Sequence, residues 1–328
     1  MAYVSTTGIA ANTAELYTAL KTFLTTTAGW TLHDDVAQTN PYFVAYSPGE
    51  SGRERIYLRY YDISTANQLC VAAFQYWNAT THAGVHGATN GDTSNPFIIT
   101  SDTASFIYWI YADLDHVIIV TKIVSTYYIQ YSGIIDRLWS SSIATSQASI
   151  AAGSNVVVPV DDASIFTVGR KYVIIDNANV ELATVSAVDT GATPDTVTFA
   201  TVTKSYSSGA QIGEDPRPVG SWRCDSIAGF FINGVAGWSS TSGQYYVSER
   251  IQTTMSYADP DARFGLTLLI PFPVICQTAG AQETRGSLTG VYAVGGDNTA
   301  SEDTITVGSD TYTVFKTNWW GALAVKNG

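Results

Sequence analysis

The sequence predicts a mainly β protein, in which an antiparallel β-sandwich-like main domain with one N-terminal helix is interrupted by a small inserted β-barrel or sandwich module. Hydrophobic residues make up 45% of the chain and charged residues only 13%, and the abundant Thr, Ser, Val, Tyr and Gly are typical of all-β folds. Short apolar and aromatic runs bounded by turn residues recur throughout, as strands do. A change of composition after Trp139, reversed from Trp222, indicates the insertion.

The densest apolar and aromatic stretch, residues 105–136, organises the main domain. Breaks at residues 112–115 and 125–126 divide it into three runs, so we expect a three-stranded antiparallel meander. The runs are apolar on both faces, and a sheet of that kind must be covered twice, by other elements or by another subunit.

Residues 13–27 carry the strongest helix signal in the chain. The apolar positions that share one helix face are Leu16, Leu20, Phe23 and Leu24. Asn12 or Thr13 suits the start of the helix and Gly29 its end. Because the helix has one apolar stripe, we expect it to cover one face of the meander, and the strands after Trp222 to cover the other.

Further strands are expected on both sides of the meander. Before it they are residues 30–32, 42–46, 55–62 and 69–77, with a hairpin turn at 47–52 and a long polar surface loop at 78–95. In the module they are residues 155–160, 172–176, 181–188 and 196–200. After the module they are residues 227–232, 244–247, 265–271, 290–293 and 312–316.

These runs predict three segments. Residues 1–142 and 218–328 share their aromatic character and form the main domain, and residues 143–217 form the module, because insertion into a surface loop is well tolerated. The small residues at 140–149 are interpreted as a linker, and the turn-rich residues 213–220 as the returning hinge.

Charge and cysteine content exclude several classes. With a net charge of −12 and 16 scattered Lys and Arg residues, the chain lacks the basic surface that nucleic acid requires. The nearest approach to a cluster is Arg53, Arg55 and Arg59, which we interpret as strand-end charge. Three cysteines imply no disulfide framework, and each is interpreted as a small buried hydrophobe. Without a signal peptide or a bilayer-spanning run, the protein is expected to be made in a cytoplasm and to stay off membranes.

Residues that carry chemistry occur in four groups, which are His82 and His86, the run His33-Asp34-Asp35, the turn Asp113–Asp115–His116, and the acidic set Asp297, Asn298, Glu302, Asp303 and Asp310. The His pair has the spacing of a helical zinc site but stands among glycines. The His-acid groups are neighbours in sequence, which does not supply catalytic geometry. The acidic set lacks the spacing of a calcium loop. We therefore predict no enzyme, and no catalytic, cofactor-binding or metal-binding residues.

Aromatic residues are the stronger functional signal. The chain has 20 Tyr, 12 Phe and 8 Trp, and about half are expected in the core. The remainder favours subunit contacts or stacking against sugar rings, because Tyr and Trp combine a large contact area with a polar tip. The adjacent pairs expected to point to opposite strand faces are Tyr60-Tyr61, Tyr127-Tyr128, Tyr245-Tyr246 and Trp319-Trp320.

Several segments, taken in order, resemble virion structural proteins of tailed bacteriophages. They are AGW at 28–30, YFVAYSPGESGRERIYLRYYD at 42–62, DLDHVIIVTKIVSTYYIQYSGIIDRLW at 113–139, the module's VPVDDASIFTVG at 158–169 and IGEDPRPVG at 212–220, and the closing RGSLTGVYAV at 285–294 and DTITVGSDTYTVFKTNWWGALAVK at 303–326. The resemblance lies in the character of these segments and in their order along the chain, and its motifs contain no active site.

The resemblance implies a component of the tail, baseplate or neck of a virion, present in many copies and assembled in the host cytoplasm. Its partners would be itself and other tail or neck proteins. Two alternatives remain open. One is a carbohydrate-binding module for host recognition, and the other is a glycan-degrading enzyme, which requires a pair of carboxylates across a cleft.

Overall fold

The computed structural model describes residues 3–63, 68–74, 76–85, 97–99, 101–137, 143–176, 179–213, 219–223, 269–278, 281–294, 299–317 and 321–328. The protein is mainly β, with 61% strand, an N-terminal helix and several antiparallel sheets, as its composition predicts.

The elements fall into three groups along the chain. The first group is β1 (Val4–Ala10), α1 (Thr13–Thr26), β2 (Thr31–Val36), β3 (Tyr42–Ser47), β4 (Ile56–Ile63), β5 (Gln68–Phe74), β6 (Tyr76–Asn78), β7 (Ala83–Val85), β8 (Phe97–Ile99), β9 (Phe106–Ala112), β10 (His116–Ile123), β11 (Thr126–Gly133) and β12 (Asp136–Arg137). The module contains β13 (Ala144–Thr145), β14 (Gly153–Val160), β15 (Lys171–Asp176), β16 (Asn179–Asp189), β17 (Asp195–Val202) and β18 (Gln211–Gly213). The last group is β19 (Val219–Arg223), β20 (Leu269–Thr278), β21 (Ala281–Val294), β22 (Thr304–Val307), β23 (Asp310–Thr317) and β24 (Gly321–Lys326).

The predicted meander is the middle of a central sheet with the order β1-β9-β10-β11-β19. Strands β9, β10 and β11 pair antiparallel without a register shift, which confirms the prediction. Strand β1 adds to it, pairing with β9 over seven residues. Its sequence VSTTGIA contains Gly8 and no run of large apolar residues, and this strand is not among those that the sequence predicts.

The central sheet is the middle layer of three. On one side lie α1 and the helix-side sheet, which has the order β2-β3-β4-β5-β8. On the other side lies the C-terminal sheet, in which β12-β21-β24-β23-β22 follow one another and β20 pairs with β21. Both faces of the meander are therefore covered, as its apolar character requires.

Helix α1 forms where the apolar stripe predicts it. Asn12 caps the helix by accepting the Glu15 N–H, while Glu15 accepts the Ala11 N–H at 2.7 Å, which closes a reciprocal capping arrangement. The side chains that join α1 to the central and helix-side sheets include Leu16, Leu20, Leu24, Leu58, Tyr60, Ile110 and Ile119. The helix therefore covers its face of the meander together with a sheet, rather than alone.

The C-terminal strands cover the other face, as predicted. The buried side chains that meet between the two sheets include Ile118, Val120, Ile129, Phe272, Leu288, Val291, Phe315 and Leu323. Tyr60 lies in the core beside the helix and Tyr61 on the opposite face of the same strand, as expected for that pair. The pairs Tyr245-Tyr246 and Trp319-Trp320 lie outside the described residues.

The module is a small barrel with a core of its own. Its strands follow the order β13-β18-β15-β16-β17-β14, and a bridge between Ser146 and Val160 joins the two ends of that order. Its core is built from side chains such as Val160, Phe166, Ile174, Phe199 and Ile212.

Two loop predictions change. Residues 143–149, the described part of the stretch at 140–149 interpreted as linker, belong to the barrel, because β13 pairs with β18 and the adjoining Ile150 bridges Tyr206. The predicted loop at 78–95 begins as a tight hairpin, since β6 pairs with β7. The expected strands at 227–232 and 244–247, and the hinge core at 214–218, lie outside the described residues.

Candidate functional site

The outer face of the helix-side sheet, turned away from α1, concentrates polar and aromatic groups. Side chains alternate along β4, so Leu58 and Tyr60 enter the core while Tyr57, Arg59 and Tyr61 lie on the outer face. Period-two alternation is the rule for a strand. Aromatic residues from β3, β5 and β6 flank this row, so the cationic side chain of β4, Arg59, lies among aromatic rings.

Arg59 lies at the centre of that row. It is 8% exposed, and its guanidinium carbon is 4.9 to 5.8 Å from the centroids of four rings, those of Tyr42, Tyr61, Phe74 and Trp77. Rings at this distance stabilise a cation through their quadrupoles. The interpretation of Arg59 as strand-end charge is therefore wrong, because the residue is buried in mid-strand.

Asp34 joins the outer face to the hairpin β6–β7. Its Oδ2 accepts the Trp77 Nε1–H at 2.7 Å and lies 2.9 Å from Nδ1 of His82, which is half-exposed. Burial raises the pKa of the Asp34 carboxyl, but the hydrogen bonds from His82 and Trp77 outweigh burial and hold the pKa below its usual value. Asp34 therefore pairs with a histidine 48 residues away and not with its neighbour His33.

Among the described residues, the pair of His82 and Asp34 serves to orient the His82 ring. The carboxylate orients the His82 ring, as in a catalytic dyad, but no described hydroxyl or thiol forms a hydrogen bond with His82. Proton transfer to a nucleophile needs such a contact. His86, the other half of the predicted pair, lies outside the described residues.

A second group on the same face, the tyrosine cluster, comprises His33, Tyr46, Tyr57 and Tyr76. Ring centroids are 4.7 Å apart for Tyr46–Tyr57, 5.0 Å for His33–Tyr57 and 6.3 Å for Tyr57–Tyr76. His33, Tyr46 and Tyr76 are half-buried, and Tyr57 is 8% exposed. His33, Tyr46 and Tyr76 therefore leave part of their surface open to the solvent.

Arg55 lies beside the tyrosine cluster where the main domain meets the module. One guanidinium nitrogen donates to the Gly209 carbonyl at 3.2 Å. Burial raises the pKa of Tyr57 to about 12, while the charges of Tyr46 and Arg55 act in opposite directions. Burial likewise raises the pKa of Tyr46, and Arg55 opposes that rise. Arg55 comes immediately before β4 and two positions before Tyr57, and the alternation of side chains along a strand places these two residues on the same face.

Arg53 contacts the module at the same junction, through residues other than Gly209. It donates to the Ile143 carbonyl at 3.2 Å and lies 3.4 Å from the Asp161 carboxylate. Its own carbonyl accepts from the Gln211 side chain. Arg53 and Arg55 are thus both anchors of the module, and the strand-end interpretation omits that role.

The turn Asp113–Asp115–His116 is structural. Asp113 Oδ1 accepts the N–H groups of Asp115 and His116 and lies 3.0 Å from Nδ1 of His116. The His116 ring is fully buried and stacks on Tyr131 at 5.1 Å. A ring closed off in this way cannot reach a substrate.

The acidic set at the C-terminal end is engaged in local contacts. Glu302 accepts from Lys122 and Tyr127, and Asp310 pairs with Lys326. Asp303 accepts the Ala300 N–H. Asp297 and Asn298 lie outside the described residues, and the residues that are described contain no group of three His, Cys, Asp or Glu placed to hold a metal.

Comparisons with known proteins add no family. A scan against protein-family models finds no match, and a search of the curated proteins finds no similar sequence. The described part of the chain also contains no helix long and apolar enough to cross a membrane.

Sequence reasoning missed the outer face as a unit. One signal was present, since Arg55, Tyr57, Arg59 and Tyr61 occupy alternate positions of one predicted strand. The Asp34–His82 contact has no such signal, because it depends on the placement of the hairpin β6–β7.

Proposed function

We propose that this chain is a structural component of a tailed-phage virion that assembles in multiple copies in the tail, baseplate or neck. The observation that carries the proposal is strand β1, whose seven residues contain no charge and no proline. An uncharged edge strand of this length is a template for pairing with another chain.

The surroundings of β1 support this role. Among the described strands, β1 pairs only with β9. Ser5, Thr7 and Ile9 share one face and are all exposed, and Ile9 is 71% exposed. A second polar edge strand, β22, likewise carries an exposed apolar side chain, because Val307 is 52% exposed. The C-terminal Gly328 lies against the backbone of Tyr3 to Ser5, so the part of the β1 edge available for pairing is its second half. Edge strands in two sheets suit a protein that contacts several neighbours.

Charged substitutions on β1 test the proposal. Ile9→Lys and Ser5→Lys place charge on an edge, which blocks strand pairing between chains, and because both positions are exposed the fold should tolerate them. We expect the unmodified chain to form oligomers in light scattering and native mass spectrometry, and the two variants to be monomers. Val157→Lys is the matched control, since Val157 is 60% exposed on the module.

Two results would contradict the proposal. One is that the chain stays monomeric at all concentrations and that electron microscopy of purified virus particles finds no tagged copy in them. The other is a loss of assembly that is equal in Ile9→Lys and Val157→Lys.

The alternative function, a carbohydrate-binding module for host recognition, is favoured by the tyrosine cluster. Half-buried rings that carry polar groups fit a sugar, which has an apolar face and a rim of hydroxyls. Glycan-array binding that disappears in Tyr46→Ala but persists in the assembly-deficient Ile9→Lys variant would support this role. Assembly without glycan binding would support the virion role alone.

A further inference from the structure

We infer that the tyrosine cluster and Arg55 form a binding site for an acidic sugar, that is, a pyranose ring that carries a carboxylate. The inference rests on the outer face of the helix-side sheet and is independent of pairing through β1. Its three elements are ring surface, neutral hydrogen-bonding groups and one cation.

The ring surface comes from the half-buried Tyr46 and Tyr76, which flank the nearly buried Tyr57. Rings held by packing lose little entropy when a ligand binds, because their rotamers are already restricted. A pyranose presents a face of C–H groups, and tyrosine rings match such a face in size and polarity.

The neutral hydrogen-bonding groups are the tyrosine hydroxyls and His33. Nε2 of His33 lies 3.1 Å from the Trp77 carbonyl, and since a carbonyl only accepts, Nε2 must carry the hydrogen. Because burial raises the pKa of Tyr46 and Tyr57, both hydroxyls stay protonated at neutral pH and can donate to a sugar oxygen.

Charge complementarity selects an acidic ligand. Arg55 lies immediately before β4 and two positions before Tyr57, so strand alternation puts a cation on the face of the cluster, in a chain whose net charge is −12. One guanidinium nitrogen suffices for its bond to Gly209. A guanidinium has five N–H donors in a fork that matches a carboxylate. Asp34, the nearby carboxylate on the same sheet, is already engaged by Trp77 and His82. A neutral sugar would leave the Arg55 guanidinium without an anionic partner.

The test compares acidic and neutral sugars on the full-length chain. Sialyllactose and trigalacturonate are titrated by calorimetry against lactose and galactotriose as neutral counterparts. We expect the acidic sugars to bind at least about tenfold more tightly, the difference that a hydrogen-bonded charge supplies. Equal affinities, or no binding of either acidic sugar, would overturn the inference.

Variants separate the cation from the rings. Arg55→Gln should abolish the preference for acidic sugars, Arg55→Lys should retain part of it, and Tyr46→Ala should weaken all sugars. Arg53→Gln is the matched control, because it removes the other arginine anchor of the module without altering the cluster. We expect Arg53→Gln to retain affinity within about twofold. If it lost affinity as Arg55→Gln does, the inferred site would be refuted, because the arginines would act only through the junction.

Discussion

Gly133 shows how tightly the central turn is built. Its φ is +125°, and a Cβ at this position would lie 2.3 Å from the Asp115 carbonyl oxygen and 2.5 Å from the His116 Cα. The next residue, Ile134, donates its N–H to the same carbonyl at 2.9 Å. Only a residue without a side chain allows the two segments to approach this closely.

We expect Gly133→Ala to lower the free energy of unfolding by about 3 kcal/mol, because backbone on both sides must move. Gly52→Ala is the control, since Gly52 also has a positive φ, +70°, but no atom lies within 4 Å of its added Cβ. It should cost only about 1 kcal/mol. Urea denaturation of both variants measures the difference, and equal losses would show that crowding at Gly133 is relieved cheaply.

The pKa values of Asp113 and Asp115 are shifted in opposite directions, although both residues lie in the same turn. Burial raises the pKa of Asp113, but the His116 contact and the two backbone N–H groups outweigh burial, so this pKa lies below its usual value. Burial dominates at Asp115 and, with the neighbouring Asp113 charge, raises its pKa despite the hydrogen bond from Glu50. Ionised Asp113 therefore stabilises the fold, and ionised Asp115 opposes it.

The pH dependence of unfolding should separate these carboxylates. A lowered pKa contributes stability that is present above about pH 4 and lost as the pH falls through the folded value, so Asp113→Asn should cost about 2 kcal/mol at neutral pH and less in acid. A raised pKa contributes stability that is lost as the pH rises, so Asp115→Asn should cost most in acid. Urea unfolding at several pH values measures both, and parallel pH profiles would contradict the assignment.

At the scale of elements, α1 depends on the reciprocal cap at its start. Asn12→Ala removes the acceptor of the Glu15 N–H, 3.0 Å away, and should lower the free energy of unfolding by about 1 kcal/mol. Asn12→Asp retains the acceptor and should cost little. Thermal unfolding followed by circular dichroism compares the two, and an equally large loss in both variants would mean that the cap contributes through its amide group instead.

Element prediction succeeded where hydrophobic period and turn residues agree. The stripe of α1 and the three runs of the meander are of this kind, and both lie where their patterns place them. Strand β1 is different, since VSTTGIA has no run of large apolar residues and is not predicted as a strand, yet it pairs with β9 over seven residues. An edge strand of this kind takes its conformation from its neighbour.

At the scale of the whole molecule, the module is joined to the main domain by paired ends. Ala144 pairs with Ile212 at its entry and exit, so these Cα atoms are only about 5 Å apart. Its core is built from its own strands, and Arg53 and Arg55 of the main domain bind it through hydrogen bonds and an ion pair. Insertion at adjacent ends leaves the host fold continuous.

Replacing residues 144–212 with a short Gly-Ser bridge should therefore leave the main domain folded. We expect calorimetry to give a cooperative transition within about 5 °C of the main-domain transition in the intact chain, because each unit has its own core. The isolated module should also fold by circular dichroism. Loss of cooperativity in the bridged chain would show that the barrel supports the main domain.

The sequence by itself determined the fold class, the helix and the meander, and it indicated an inserted module without choosing between barrel and sandwich, because each depends on the periodicity of neighbouring residues along the chain. The tertiary structure alone decided which carboxylate meets which histidine, that Arg59 is buried among rings, and that Arg55 reaches the module. These contacts join residues that are far apart in sequence, and sheet order and hairpin placement set their distances. Local pattern therefore predicts the elements, and the packing of the sheets decides the site.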